Sequence, residues 1–303
     1  MLDGGAKDPP GRLWIDDVDV PDPYRNKCHN LFQGTWAKFD QRTVAWHQTS
    51  ADYAIFHWFF KNLTRPGVYL EIGAYQPQKL SGSAFFDYCL GWHGICVEAD
   101  PTKRKYWEGT DRSCRLYTKC LYHAPNVTLC LQNLNDGVTS IAKSSPKFDK
   151  KKPQNMCSGN QVAVPCTTLQ AMLEEETALA RNKPPLSLKS VDRVKIDFMS
   201  VDVEDHEIDV LRCFPFDKYD VTMLLLETRG HELTYDWFMM NKGYLKWDNL
   251  RNFGVHPTDS LYVKRSFLHP ASDYIPWREQ SDRFTSKEKH FLACPQAHDS
   301  TGG

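Results

Sequence analysis

No two of the ten cysteines stand at C-x-x-C spacing, so a structural zinc site of the finger or ribbon type is not expected. No stretch reaches the ~20 consecutive apolar residues that cross a bilayer as a helix. Neither sign of charge dominates: 37 Lys and Arg against 38 Asp and Glu leave a formal net charge of -1. That balance argues against a general nucleic-acid or membrane-surface binder. Met1-Leu-Asp-Gly-Gly5 lacks a basic segment followed by an apolar core, so no secretory signal is expected there. The compartment reads as cytoplasmic as the chain stands, or as a secretory lumen if a leader was trimmed. Two N-x-T sequons, Asn62-Leu-Thr64 and Asn126-Val-Thr128, are compatible with a lumen. A chain of this composition carries on the order of one such triplet by chance, so they decide nothing alone.

What is present is enough for a sizeable core: 303 residues, 41% hydrophobic and 13% aromatic. The most telling stretch is Val68-Tyr-Leu-Glu-Ile-Gly-Ala-Tyr-Gln-Pro77, read with Gly94-Ile-Cys-Val-Glu-Ala-Asp100. An apolar strand ends in an acid and a glycine, a helix-length segment follows, and a second apolar strand ends in another acid. This is the layout of a nucleotide-binding α/β unit, in which the second acid takes ribose hydroxyls. The dinucleotide fingerprint G-x-G-x-x-G is missing, which disfavours an NAD-dependent oxidoreductase. One glycine with Glu71 inside the strand end suits an S-adenosylmethionine (SAM) site better.

Periodicity and turn residues divide the chain into a loop-rich lead-in (1–40), a main domain (41–270) and an irregular tail (271–303). Within the main domain, a helix is expected over 50–60 and strands over 68–73 and 94–99. Helices are expected over 80–90 and from Pro101 through Trp107, then strands over 116–122 and 127–131 and a polar loop over 143–160. Beyond the loop the pattern gives a helix over 168–179, an acid-ended strand over 194–203 and a helix carrying Ile208, Leu211 and Phe214 that stops at Pro215. Strand 221–227 is apolar almost throughout, as central parallel strands are. A helix over 233–241 and strands near 244–247 and 259–264 complete the set. Strands alternating with helices imply a doubly wound, mostly parallel sheet with helices on both faces, and its ligand crevice lies beyond the carboxyl ends of the strands. Glu71, Glu98, Asp202 with Glu204, and Glu227 all sit at such ends. Cys89, Cys96, Cys130 and Cys213 fall inside expected elements and read as free, buried thiols.

Glu71-Ile-Gly-Ala, Leu80-Ser81, Gly91-Trp-His-Gly-Ile-Cys-Val-Glu-Ala-Asp-Pro101 and Asp197-Phe-Met-Ser-Val-Asp-Val-Glu-Asp-His-Glu-Ile-Asp-Val-Leu211 together resemble the FkbM family of SAM-dependent methyltransferases, closest to its eukaryotic branch. The resemblance covers roughly residues 45–265, and Asp-Val-Glu-x-x-Glu before an apolar helix is its most specific part. It implies a Rossmann-like class I fold with a seven-stranded sheet whose last strand is antiparallel. It also implies SAM as cofactor and methylation of an oxygen, often on a sugar or a small hydroxylated molecule. By position, Glu71, Gly73, Ala74, Tyr75 and Gln76 match the turn at the methionine part of SAM. Glu98 matches the ribose acid, with Ala99 and Asp100 beside it, and Lys119-Cys120 falls where adenine is flanked. Asp202 and Glu204 match the acids beside the reacting centre. Two positions depart from the family: Pro77 and Asp205 stand where glycine is frequent or usual. Pro77 could stiffen or reshape the SAM turn, and Asp205 adds a charge and a side chain where bare backbone is expected; either could signal an unusual substrate or a silenced site.

Methyl transfer from a sulfonium to a hydroxyl needs near-attack geometry and removal of a proton. Asp202 is expected on the methionine side, with Glu204 or His206 as base; capping of the following helix is the plainer reading of the acids. Glu227 and His231 are candidates for the substrate side. Asp202, Glu204 and Glu227 together could hold a divalent cation through oxygens, but nothing in the sequence fixes their separation, and no metal is assigned. Trp46, Trp58, Trp92 and Trp107 could stack on a sugar, although packing is the commoner use, and Gln48 and Asp52 could cover the SAM pocket. The expectation is a methyltransferase acting on a small molecule or glycan. Its rival is a catalytically silent methyltransferase-like binding or trafficking module.

Overall fold

Val68–Ile72 (β1) is buried along its whole length, because Tyr69 faces one core and Leu70 and Ile72 face another, as alternate residues of a two-sided strand must. The computed structural model describes residues 51–60, 62–134, 138–141, 157, 159–180, 194–247, 258–268 and 292–295. Ahead of β1, helix α1 (Ala51–Ile55) continues into a π-helical turn, Phe56–Phe60. After it come α2 (Ala84–Leu90), β2 (His93–Val97), a 3₁₀ turn (Pro101–Tyr106) and β3 (Arg115–Tyr117). Strands β4 (Cys120–Leu121), β5 (Val127–Leu134), β6 (Val138–Ile141) and β7 (Gln161–Thr167) precede α3 (Leu169–Ala180). Then follow β8 (Val194–Val201), α4 (Glu207–Leu211), β9 (Tyr219–Glu227), α5 (Glu232–Asn241), β10 (Tyr244–Trp247) and β11 (Asp259–Lys264).

The main sheet has seven strands in the order β10-β11-β9-β8-β1-β2-β3. Neighbours from β9 to β3 are parallel, and β11 lies antiparallel between β9 and β10. The mixed α/β, mostly parallel architecture is the one the strand and helix pattern implies, and the reversed final strand is the one the family resemblance implies. An aromatic core of Phe60, Phe85, Phe86, Trp92 and Phe198 covers one face, with Trp107 at its margin. Met199, Leu211, Leu224, Tyr235 and Phe238 belong to the core on the other face.

Several elements differ from expectation. The helix after β1 begins at Ala84 rather than near 80: Ser81, Gly82 and Ser83 all donate to the Glu71 carboxylate, which holds them in a loop ahead of the first turn. The segment opened by Pro101 is 3₁₀, not α. The single strand expected over 116–122 is two: β3 ends the main sheet, whereas β4 opens a second sheet of order β4-β7-β5-β6. That sheet, absent from the sequence reading, closes over its own small core of Cys120, Leu129, Leu131, Val164 and Cys166. Most of the polar loop, the lead-in, Trp46 and Gln48 lie outside the described residues.

The cysteines are the largest correction. Cys96 pairs with Cys114, Cys120 with Cys166, Cys130 with Cys157 and Cys213 with Cys294. Cys89 is disulfide-bonded too, and among the described residues no cysteine is free. Burial inside regular elements looks the same for a thiol and for a half-cystine. Partners 18 to 81 residues apart leave no local signature.

Candidate functional site

Because β2, β1, β8 and β9 are parallel and adjacent, their carboxyl ends share one edge of the sheet. The turn after β1 is fastened there: Gly73 N and Ala74 N both donate to Val97 O, at 3.0 and 2.9 Å. Asp202 N donates to Ile72 O across the other side (3.0 Å). Gly73 has φ +86°, and a Cβ placed on it would stand 1.7 Å from Asp202 O, so only glycine lets the two strand ends approach. Tyr75 follows at φ 41°, its ring under the ammonium groups of Lys103 (5.0 Å) and Lys79 (5.7 Å), and Gln76 is half-buried beside it.

Glu71 does not present its carboxylate to this edge. It accepts from Ser81 Oγ (2.9 Å), Gly82 N (2.7 Å) and Ser83 Oγ (2.6 Å), and lies 3.5 Å from Arg112 Nη2. Arg112 is the hub: it also pairs with Asp87 (3.2 Å), donates to the Tyr69 and Ser83 hydroxyls, and holds the Pro77 carbonyl. Burial opposes the charge on this guanidinium, but Tyr69, Asp87 and Glu71 around it prevail and hold its pKa above the ordinary arginine value. The loop carrying Pro77 is therefore moored to the core through a backbone oxygen.

Glu98 follows β2 directly, is buried, and accepts from Asp100 N at 2.7 Å. Burial pushes its carboxyl up to about 7, against opposition from the backbone N–H groups of Asp100 and Tyr75. Ala99 packs against the second sheet's core. Asp100 is occupied in capping the 3₁₀ turn, accepting from Thr102 N (2.8 Å) and its hydroxyl (2.7 Å). Cys120 is tied to Cys166, and Lys119 pairs with Glu175 at 3.5 Å.

On the other side of Gly73, carboxylate oxygens of Asp202, Glu204 and Glu227 lie within 4.8 Å of one another, close enough to share one cation. Arg229 already spans part of the cluster, from Glu227 (2.6 Å) to Glu204 (2.9 Å). Glu227 Oε2 is buried and faces the Asp202 carboxyl, which can donate to it when protonated. Burial and the facing Glu227 push Asp202 well above the usual carboxylate range. Glu204 is raised by the same two causes, less Arg229's opposition. Glu207, the first residue of α4, reaches back to the turn after β8, accepting from Val203 N (2.9 Å), and across to Tyr235 OH (2.6 Å); burial lifts it to about 7.

The family model described as Methyltransferase FkbM domain matches residues 71–255. The chain belongs to the FkbM methyltransferase family. No curated protein and no solved structure matches it.

In this FkbM chain the position where glycine is usual, Asp205, has φ +73°, directly after Glu204 at φ 57°. The left-handed turn that glycine would serve is thus kept by an aspartate, a residue enriched in that region. His206 stands at the N-cap of α4 with Nδ1 3.0 Å from Asp209 Oδ2. Asp209 also meets Arg212 (3.0 Å) and His123 (3.4 Å). Its carboxyl is held low: burial alone would raise it, but the bond from His206 and the charge of Arg212 prevail. His231, the N-cap of α5, is exposed. Asp52 is fully buried, as is Trp92, and Trp107 nearly so, while Trp58 is 53% exposed. Three residues were given no role from the sequence: Arg229, which lies inside the Glu227–His231 segment expected on the substrate side, Asp209 and Arg112. The first two stand two and three residues from singled-out positions and were findable. Arg112 has no local signal.

Proposed function

We propose that this FkbM domain binds SAM and methylates a hydroxyl of a carbohydrate or small metabolite. The observation that carries the reading is the acid cluster Asp202–Glu204–Glu227, beside the Gly73 turn and opposite Glu98. A methyl donor with a sulfonium and an ammonium is cationic; three acids face one Arg229, and an arriving cation favours ionisation of Asp202, whose carboxyl burial and Glu227 otherwise hold above the usual range. The donor chemistry fits: Glu98 is a buried acceptor for ribose hydroxyls, while the Gly73–Gln76 turn and Asp202 suit the methionine end. When bound, SAM supplies an electrophilic methyl group. The chain's part is to hold the acceptor hydroxyl in line and take its proton.

His206 suits the second task. In the tautomer that donates Nδ1–H to Asp209, Nε2 keeps its lone pair for the hydroxyl proton, and the carboxylate steadies the imidazolium that forms. Glu204 is less suited, since Arg229 holds it. Glu227 and His231 remain candidates on the acceptor side. The disulfides support an oxidising compartment, such as a secretory lumen, as the place of work.

Titration calorimetry with SAM and S-adenosylhomocysteine tests the reading: binding in the micromolar range is expected. No heat at millimolar ligand overturns it in favour of a silent, methyltransferase-like binding module. Once an acceptor is found, His206→Ala should lower kcat by about 100-fold or more with SAM affinity unchanged. An equal loss of affinity would assign His206 to the cofactor instead.

A further inference from the structure

Two asparagines left undecided by the sequence gain weight from the fold. Asn62 lies in the turn after the π-helical segment and Asn126 in the tight turn between β4 and β5, and both are exposed. Asn126 has φ 58°, a left-handed conformation that asparagine tolerates in a turn. Each begins an N-x-T triplet, with Leu63 and Thr64 after the first and Val127 and Thr128 after the second. Leu63 N donates to Phe60 O (2.9 Å), and Thr128 sits in β5 opposite Pro165. In both triplets, then, the backbone is fixed by its neighbours while the acceptor amide stays at the surface.

The independent observation is the disulfide set. Four mapped pairs, with Cys89 bonded as well, form and persist in the compartment where asparagine is glycosylated. A triplet that arises by chance in a reducing compartment has no access to the modification; these two share a chain with cystines. We infer that Asn62 and Asn126 are N-glycosylation sites of this protein. The transfer takes the glycan from a lipid pyrophosphate-linked oligosaccharide. The Asn Nδ2–C1 bond forms, the C1–O bond to the pyrophosphate breaks, the lipid pyrophosphate leaves, and the amide gives up one proton. The inference rests on the oxidising-compartment reading and not on the methyltransferase reading.

The test is to produce the full chain in eukaryotic cells behind a secretory leader. Intact mass is then measured before and after an amidase that releases N-glycans, with peptide mapping to find asparagines converted to aspartate. Two glycans are expected, one lost in Asn62→Gln, the other in Asn126→Gln, and both in the double variant. Thr128→Ala should lose the second glycan with Asn126 still in its turn, whereas Thr128→Ser should retain it. Secreted protein that has the mapped disulfides but the mass of the unmodified chain overturns the inference and leaves the compartment reading standing. Protein that reaches the medium without those disulfides overturns both.

Discussion

Glu98 and Asp205 show what single positions contribute. A free glutamate titrates near 4.5, and burial raises Glu98 to about 7, so between those values the folded chain holds a proton that the unfolded chain has released. Stability must therefore fall as pH rises through that window. The full effect is up to about 3 kcal/mol at one site. Denaturant titrations at about pH 5 and about pH 8 should show a smaller fall for Glu98→Gln than for the parent. An identical fall in both would place the cause elsewhere, with Glu207 the next candidate because it too is raised to about 7. Asp205 makes the opposite kind of case. At φ +73° it stands where a side chain costs conformational energy and glycine does not. Asp205→Gly should hold stability or raise it by up to about 1 kcal/mol, and Asp205→Val should lose about 1–2 kcal/mol. Thermal unfolding of the two variants separates them; a marked loss in the glycine variant would mean that the carboxylate, not the turn, is what the position needs.

Among elements, the segment between β1 and α2 depends most on a residue far away in sequence. Arg112 has no exposed side-chain surface and is bound to Glu71, Asp87, Ser81, Ser83 and the Pro77 carbonyl, so it joins strand, loop and helix at one point. Removing one member of such a buried set leaves the others charged and unsolvated. Arg112→Met should cost about 3–5 kcal/mol, which denaturant unfolding would report. A loss below about 1 kcal/mol would show that water replaces the guanidinium. The same segment marks how far the sequence could be read. Strands β1, β2, β8 and β9 were legible because a strand buried on both faces is a nearly unbroken apolar run, and runs of that kind place their own carboxyl ends. The strand-end acids were legible for the same reason. That Glu71 would be consumed by Ser81, Gly82, Ser83 and Arg112 was not, since hydrogen-bond partners across forty residues have no periodicity. Nor was the second sheet: β7 alternates buried and exposed positions only over its later half, and β4 has two residues. In so short a strand, period two carries no information about which sheet it joins.

The molecule as a whole is held by cystines as well as by its cores. The four mapped pairs close loops of 18, 46, 27 and 81 residues, and in the chain-entropy account each removes about 3–4.5 kcal/mol worth of freedom from the unfolded chain, most for the longest. Cys213–Cys294 is the longest loop, and it joins the residues just after α4 to a segment whose Leu292 is buried in the core beneath the sheet. That link brings part of residues 271–303, expected from the sequence to form an irregular tail, into contact with the methyltransferase fold. Replacing both half-cystines by serine should lower the unfolding free energy by about 4 kcal/mol. The loss should be smaller for the Cys96 and Cys114 pair, whose loop is shortest. Reductant should shift the parent's denaturation midpoint downward by more than it shifts the Cys213→Ser, Cys294→Ser variant. If the parent's midpoint is unmoved by reductant, the cross-links contribute nothing to its stability, and the argument for an oxidising compartment loses its physical footing.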